Sequence, residues 1–256
     1  MHKKDRISVV WLDNGEVCSD FATSIMDSFM ANPGRLTGRI VVRSGGAITG
    51  ARNRAIAEYL SNSEDEWALL IDSDMKWTPA DLKVLIDAAD AKTTPVVGGL
   101  CFIQMGQMIS TFQMIVPTIY NDSPLRRQAY QPIYDYAKDS LIECDATGAA
   151  FLLVHRSVLL KIQEMTGQGD WSWFMEGPTQ DGLSWLGEDV TFCTLVKMAG
   201  FPLHVHTGCK VGHIKGVNYV LDEEMYLTMY QGATQANVNA ANVATDTSAV
   251  AANADA

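Results

Sequence analysis

What this chain has little of narrows its class. It has five cysteines in 256 residues, Cys18, Cys101, Cys144, Cys193 and Cys209, far apart and odd in number. No C-x-x-C pair is present, so a thiolate zinc site and a disulfide framework are both disfavoured, and a reducing cytoplasm is the default location. No segment approaches the roughly 20 apolar residues of a membrane span. The N-terminal stretch MHKKDRISVVWLD places basic residues before an apolar run, Ile7 to Leu12. That run is too short for the core of a signal peptide and reads as a first strand. Cations are scarce, 19 Lys and Arg against 30 Asp and Glu, for a net charge of −11. Such a balance argues against a nucleic-acid backbone as partner, and an anionic substrate would need a local cation. The tail, residues 232–256, lacks Lys, Arg and aromatic residues. It cannot bury enough surface to fold alone and reads as a disordered, low-complexity segment.

What is present points to one α/β domain over residues 1–231, with 47% apolar residues and ample length for a core. Strand-like runs at Ile7–Leu12, Arg39–Arg43, Trp67–Ile71 and Pro95–Phe102 alternate with helical periods. In the first helix Phe21, Ile25 and Phe29 share a face; in the second, Ala55, Ile56, Tyr59 and Leu60. Thr78-Pro79 supplies an N-cap and a first-turn proline for a third, whose buried face is Leu82, Leu85, Ile86 and Ala89. This alternation predicts a mostly parallel sheet covered by helices. From Gln104 to Ser140 no clean period is readable, and the composition predicts an irregular excursion with a hairpin in it. Order returns with a strand at Ala149–Val154 and a helix after it; a loop dense in Gly and aromatics follows, then a helix closed by Gly200 and a strand at Phe201–His206.

Four constellations carry polar chemistry. Asp72 and Asp74 follow a wholly apolar run, at the C-terminal strand end where ligands of open parallel sheets sit. Residues i and i+2 of an extended chain point the same way, and two carboxylates without a thiolate suit a hard divalent ion, Mg²⁺ or Mn²⁺. An arbitrary D-x-D is more often a solvated acidic turn; the apolar run before this one favours a site. His213 lies between Gly212 and Gly216, where backbone can approach a ligand, although a lone histidine is usually only packed or exposed. Glu188 and Asp189 fall in a first helical turn. The helix dipole explains them structurally; the functional alternative makes Asp189 a base for a hydroxyl proton. The loop before them carries Trp171, Trp173, Phe174 and Trp185, which suit either core or a platform for a sugar ring. Arg52-Asn53 opens the helix after Gly45, Gly46 and Gly50, without the spacing of either common phosphate-binding loop.

In order along residues 7 to 216, "GARNRAI", "LLIDSDM", "TGAAFLLVHRSVL", "LGEDVTF" and "VGHIKG" resemble a GT-A glycosyltransferase. The likeness is to the compact, soluble family-2-like group, which includes bacteriophage members acting in a host cytoplasm. The resemblance implies a nucleotide-sugar donor, a Mn²⁺ or Mg²⁺ ion, and a glycan, lipid or protein hydroxyl as acceptor. It implies Asp74 as metal ligand, Asp72 on the metal or ribose, and His213 as a further metal or diphosphate ligand. Arg52 and Asn53 would line the nucleotide pocket. Asp189 with Glu188 would sit at the acceptor hydroxyl, and Trp171, Trp173 and Trp185 on the acceptor side. Strand 1 ends in WLDNGEV rather than a Pro or Thr turn, so Asp13 is the candidate nucleotide-edge contact. A sugar-phosphate nucleotidyltransferase would carry a Gly-rich basic loop after strand 1, which this chain lacks. A phosphatase of the haloacid-dehalogenase type would place its D-x-D at the first strand. A binding protein that has lost turnover is the non-enzymatic alternative.

Overall fold

A computed structural model describes residues 5–13, 15–43, 47–106, 113–123, 130–179, 181–215 and 220–230. Gly45, Gly46, Gly216 and the tail expected to be disordered lie outside these residues. The first half follows the periodicity of the sequence. Strand β1 (Ile7–Asp13) leads to helix α1 (Ser19–Ala31), β2 (Leu36–Arg43), α2 (Ile48–Asn62) and β3 (Trp67–Asp72). A two-residue turn, Ser73-Asp74, then enters the short β4 (Met75–Lys76), followed by α3 (Pro79–Ala88) and β5 (Val96–Leu100). At α3 the Thr78 hydroxyl accepts from the Asp81 amide and Asp81 answers to the Thr78 amide, a complete capping box with Pro79 inside the first turn.

Among its described residues, the segment expected to be irregular holds the expected hairpin and further short strands. β6 (Phe102–Gly106) and β7 (Gln113–Pro117) form a hairpin, and β8 (Ile119–Asp122) pairs with β9 (Tyr130–Pro132). β10 (Leu141–Glu143) joins the central sheet, and β11 (Ala146–Thr147) completes a small sheet with β8. Strands of two to five residues are too short to show a period, which is why this region is illegible in sequence. After it come β12 (Phe151–His155) and α4 (Arg156–Thr166), then a hairpin of β13 (Gly177–Pro178) with β14 (Trp185–Leu186), and α5 (Glu188–Met198). β15 (His204–Lys210), β16 (Gly212–Ile214) and β17 (Val220–Leu221) follow, and residues 223–230 are helical. β15 starts later and runs further than the expected Phe201–His206. Val205, Thr207 and Cys209 continue the buried alternation, and Thr and Cys are weak signals of an inner face.

The central sheet has seven strands in the order β10-β15-β5-β12-β3-β1-β2. β2, β1, β3, β5 and β15 point one way; β12 runs against both of its neighbours, and β10 against β15. The reversal of β12 has a simple cause. The excursion leaves from the C-terminal end of β5 and returns at that same end, pairing Phe151 with Ile71 and then descending to pair His155 with Trp67. The excursion therefore begins and ends at the C-terminal end of the parallel strands, the end at which Asp13 and Asp72 lie.

Alternation within the strands builds two cores, one on each face. Val10, Leu12 and Leu70 pack with Ala55, Ile56 and Tyr59 of α2 and with residues of α4 and α5. Val9, Leu69 and Ile71 pack with Phe21 of α1 and with Leu82, Leu85 and Ile86 of α3. Burial of such side chains, each about 1.5–3 kcal/mol, makes the sheet a rigid base for the loops at its end. Among the described residues no helix is long and apolar enough to cross a membrane.

Candidate active site

The loops over the ends of β1 and β3 bring together charged residues that are far apart in sequence. Arg52, on α2, is 5% exposed although charged. Its guanidinium grips the Asp72 carboxylate through both oxygens, at 3.2 and 3.0 Å. The other terminal nitrogen reaches Glu188 Oε1 at 3.3 Å and contacts Asp189 Oδ1. The face of Phe174 lies 5.5 Å from the guanidinium carbon. Side-chain exposure is 6% for Arg52, against 24%, 17% and 30% for Asp72, Glu188 and Asp189, so the carboxylates stand between the cation and solvent. One guanidinium cannot neutralise three carboxylates. The residual negative charge faces outward.

Asp74 stands in the turn after β3 and belongs to a second group. β4 pairs with β16 so that His213 lies opposite Met75, and the Ile214 amide donates to the Asp74 carbonyl at 2.8 Å. This register sets His213 Nε2 3.0 Å from Asp74 Oδ2. Lys215 Nζ reaches the same oxygen at 3.4 Å. The His213 Nδ1 lies 3.1 Å from the carbonyl oxygen of Phe102; a carbonyl only accepts, so Nδ1 carries the hydrogen. Burial pushes the Asp74 carboxyl upward, but the hydrogen bond and charge of His213, with Lys215, outweigh it and hold the group below the usual carboxylate range. With Nε2 unprotonated, a histidine fixed by Nδ1–H to a carbonyl and set beside a carboxylate would offer one nitrogen and one oxygen donor to a divalent ion. The pair is not a complete cage: among the described residues no three His, Cys, Asp or Glu side chains converge on one metal position. Asp72, expected beside Asp74, is instead held by Arg52.

Several placements differ from the sequence expectation. Asn53 does not line an open pocket. It is 1% exposed, and its amide is fully used. Nδ2 donates to the carbonyls of Thr49 and Phe174 at 3.0 and 2.6 Å, and Oδ1 accepts from the amides of Trp173 and Phe174 at 3.1 and 3.0 Å. Trp173 is no acceptor platform either: it is 0% exposed and its indole donates to the Leu159 carbonyl at 2.8 Å. The two other tryptophans are open, Trp171 at 57% and Trp185 at 67%. Trp171 lies against Gly50, and Thr49 donates to Glu176 at 2.9 Å, joining α2 to the segment that leads into the β13–β14 hairpin. Asp13 ends β1, where one oxygen accepts from the Gly15 amide at 2.8 Å and the other faces Arg43 Nε at 3.4 Å. Gly212 serves packing rather than ligand approach, since a Cβ there would come within 2.7 Å of Val220. Gly148 borders the acids; a Cβ on it would sit 3.7 Å from Asp189 Oδ2.

Sequence reasoning missed Lys215, the Phe102 carbonyl and the Arg52 hub. A signal for the hub was available: Arg52 and Asn53 interrupt a helix face that is otherwise Ala51, Ala55, Ile56 and Tyr59, all buried. Polar residues on such a face must have partners.

No protein-family model matches the sequence, and no curated protein does. Among solved structures, A197 from STIV superposes with a TM-score of 0.55 at 15% identity, over 86% of this chain and 91% of that one. GalNAc-T7, solved with UDP, GalNAc and Mn²⁺, superposes with a TM-score of 0.53 at 13% identity, over 83% of this chain and 44% of that one. The chain thus spans less than half the length of GalNAc-T7. At such identities the likeness is one of fold: a mixed α/β, GT-A-type chain with a large, mostly parallel central sheet flanked by helices.

Proposed function

We propose that this protein is a metal-dependent glycosyltransferase, moving a sugar from a nucleoside-diphosphate sugar to a hydroxyl acceptor. The observation that carries the reading is that β3 of a GT-A-type sheet ends in Asp72, held by Arg52 together with Glu188 and Asp189, while the turn directly after it sets Asp74 against His213. The fold neighbour solved with UDP, GalNAc and Mn²⁺ supports the same donor class. The catalytic unit is residues 1–231.

Asp74 and His213 would hold Mn²⁺ or Mg²⁺. When bound, the ion supplies positive charge to the leaving nucleoside diphosphate. Asp72 faces the donor from the end of β3, and Asp13 meets the nucleotide edge from the end of β1. Asp189, with Glu188 beside it, takes the proton of the acceptor hydroxyl, as a carboxylate within hydrogen-bond reach does. Gly148 borders Asp189 and adds no side chain beside its second oxygen. Trp171 and Trp185 offer exposed aromatic faces for a glycan, lipid headgroup or protein acceptor.

The test is incubation with UDP- and GDP-sugars in the presence and absence of Mn²⁺, reading nucleoside diphosphate release. Release that requires the metal and is lost in Asp74→Ala is the expected result. No hydrolysis or transfer from any donor, together with no nucleotide binding by calorimetry, would overturn the proposal.

A further inference from the structure

The proposed function places Asp72 on the donor side and Asp189 on the acceptor side, but does not say what holds the two sides in register. Asp72 ends β3 and the acids Glu188 and Asp189 begin α5, more than a hundred residues later. Their common contact is Arg52, which reaches all three.

Arg52 itself is unusually well fixed. Its backbone belongs to α2, whose Ala51, Ala55, Ile56 and Tyr59 are buried in the core. The next residue, Asn53, stitches the same turn to the backbone of Trp173 and Phe174. Phe174 in turn lies under the guanidinium and stacks on Phe192 of α5, with ring centroids 4.7 Å apart. The helix, the aromatic segment and α5 therefore form one packed body around the cation. The guanidinium is also screened from solvent by the carboxylates that it holds.

We propose that Arg52 is a positioning residue: its planar fork ties the donor-side Asp72 to the acceptor-side Glu188 and Asp189, and so sets the distance between the two halves of the site. The inference rests on the functional reading above. Lysine is a poor substitute, because a single ammonium cannot grip Asp72 through two oxygens while also reaching the acids of α5. Loss of the tie lets both strand end and helix start drift, and misplacement by about 1 Å costs on the order of 100-fold in rate.

The experiment compares wild type with Arg52→Lys and Arg52→Gln, by steady-state kinetics on the donor and by amide hydrogen exchange. For Arg52→Lys, kcat falls about 100-fold while the donor KM changes far less. Exchange accelerates at residues 72–74 and 187–190 together, while residues 68–71 inside β3 stay protected. Arg52→Gln shows the same pattern more strongly; if it does not fold, the lysine variant carries the test. A donor KM that rises while kcat holds would make Arg52 a donor-binding group and overturn the proposal. So would acceleration at only one of the two segments, or none at either. If wild type turns over no donor, the glycosyltransferase reading fails, whereas the exchange measurement still decides whether Arg52 joins the two segments.

Discussion

Asn53→Ala tests the site's supporting structure most directly. The Asn53 side chain is buried and makes four hydrogen bonds, three of them to the backbone of Trp173 and Phe174. Alanine keeps the helix but leaves two amides and one carbonyl of that segment without their partner, in a region where Trp173 and Phe174 exclude water. A buried backbone group left unsatisfied costs about 1–3 kcal/mol. With partial relaxation of the segment, the total is about 3–5 kcal/mol. For a chain of this size each kcal/mol lowers the melting temperature by about 2–4 °C, so Tm should fall by roughly 10 °C. Urea denaturation gives the free energy and m-value, and thermal melting gives the shift. Asn53→Asp keeps an acceptor for the two amides but loses the donor to Phe174 and buries a charge, so it should not restore the stability. A melting temperature within about 2 °C of wild type, with weakened nucleotide binding instead, would refute the stitching role and return Asn53 to the pocket wall.

Asp74→Asn and His213→Gln should each weaken Mn²⁺ binding in the presence of UDP more than about tenfold by calorimetry, since even groups supporting a metal ligand are worth that much. Unchanged affinity in both would remove the pair from the metal site. The tryptophans should separate cleanly. Trp173→Ala should cost about 3–5 kcal/mol of stability, as deletion of a buried aromatic does. Trp185→Ala should leave stability within about 0.5 kcal/mol and lower kcat/KM for the acceptor; equal melting curves for the two variants would contradict the burial assigned here. Acid sensitivity should come from histidines before carboxylates. Desolvation holds His155, His204 and His206 below their usual value of 6.5, against the opposing pull of nearby acids. The unfolded chain then takes up protons first, so stability present above about pH 6.5 is lost as the pH falls below it. The depressed Asp74 adds its own loss only below its usual value of 3.8. A Tm that is flat from pH 7.5 to 5 would contradict this order.

The amphipathic periods from Ile7 to Phe102 made the alternating elements of the first half legible, because the residues that form each strand or helix are also those that bury it. Strand pairing was less legible. That β12 runs against its neighbours depends on where the excursion re-enters the sheet, a property of the path and not of the strand's own residues.

Local sequence by itself determined the apolar strand that ends in Asp72, the capped start of α3, and the acidic first turn of α5. Each depends on near neighbours in the chain, and near neighbours can be read from spacing. Only the tertiary structure decided the partners. It divided the D-x-D, giving Asp72 to Arg52 and Asp74 to His213, because β3 ends between the two acids and a turn sends the second toward β16. It also sorted the three tryptophans, burying Trp173 and exposing Trp171 and Trp185, since a residue type says what a side chain can do, and only the packing around it says whether solvent or a ligand can reach it.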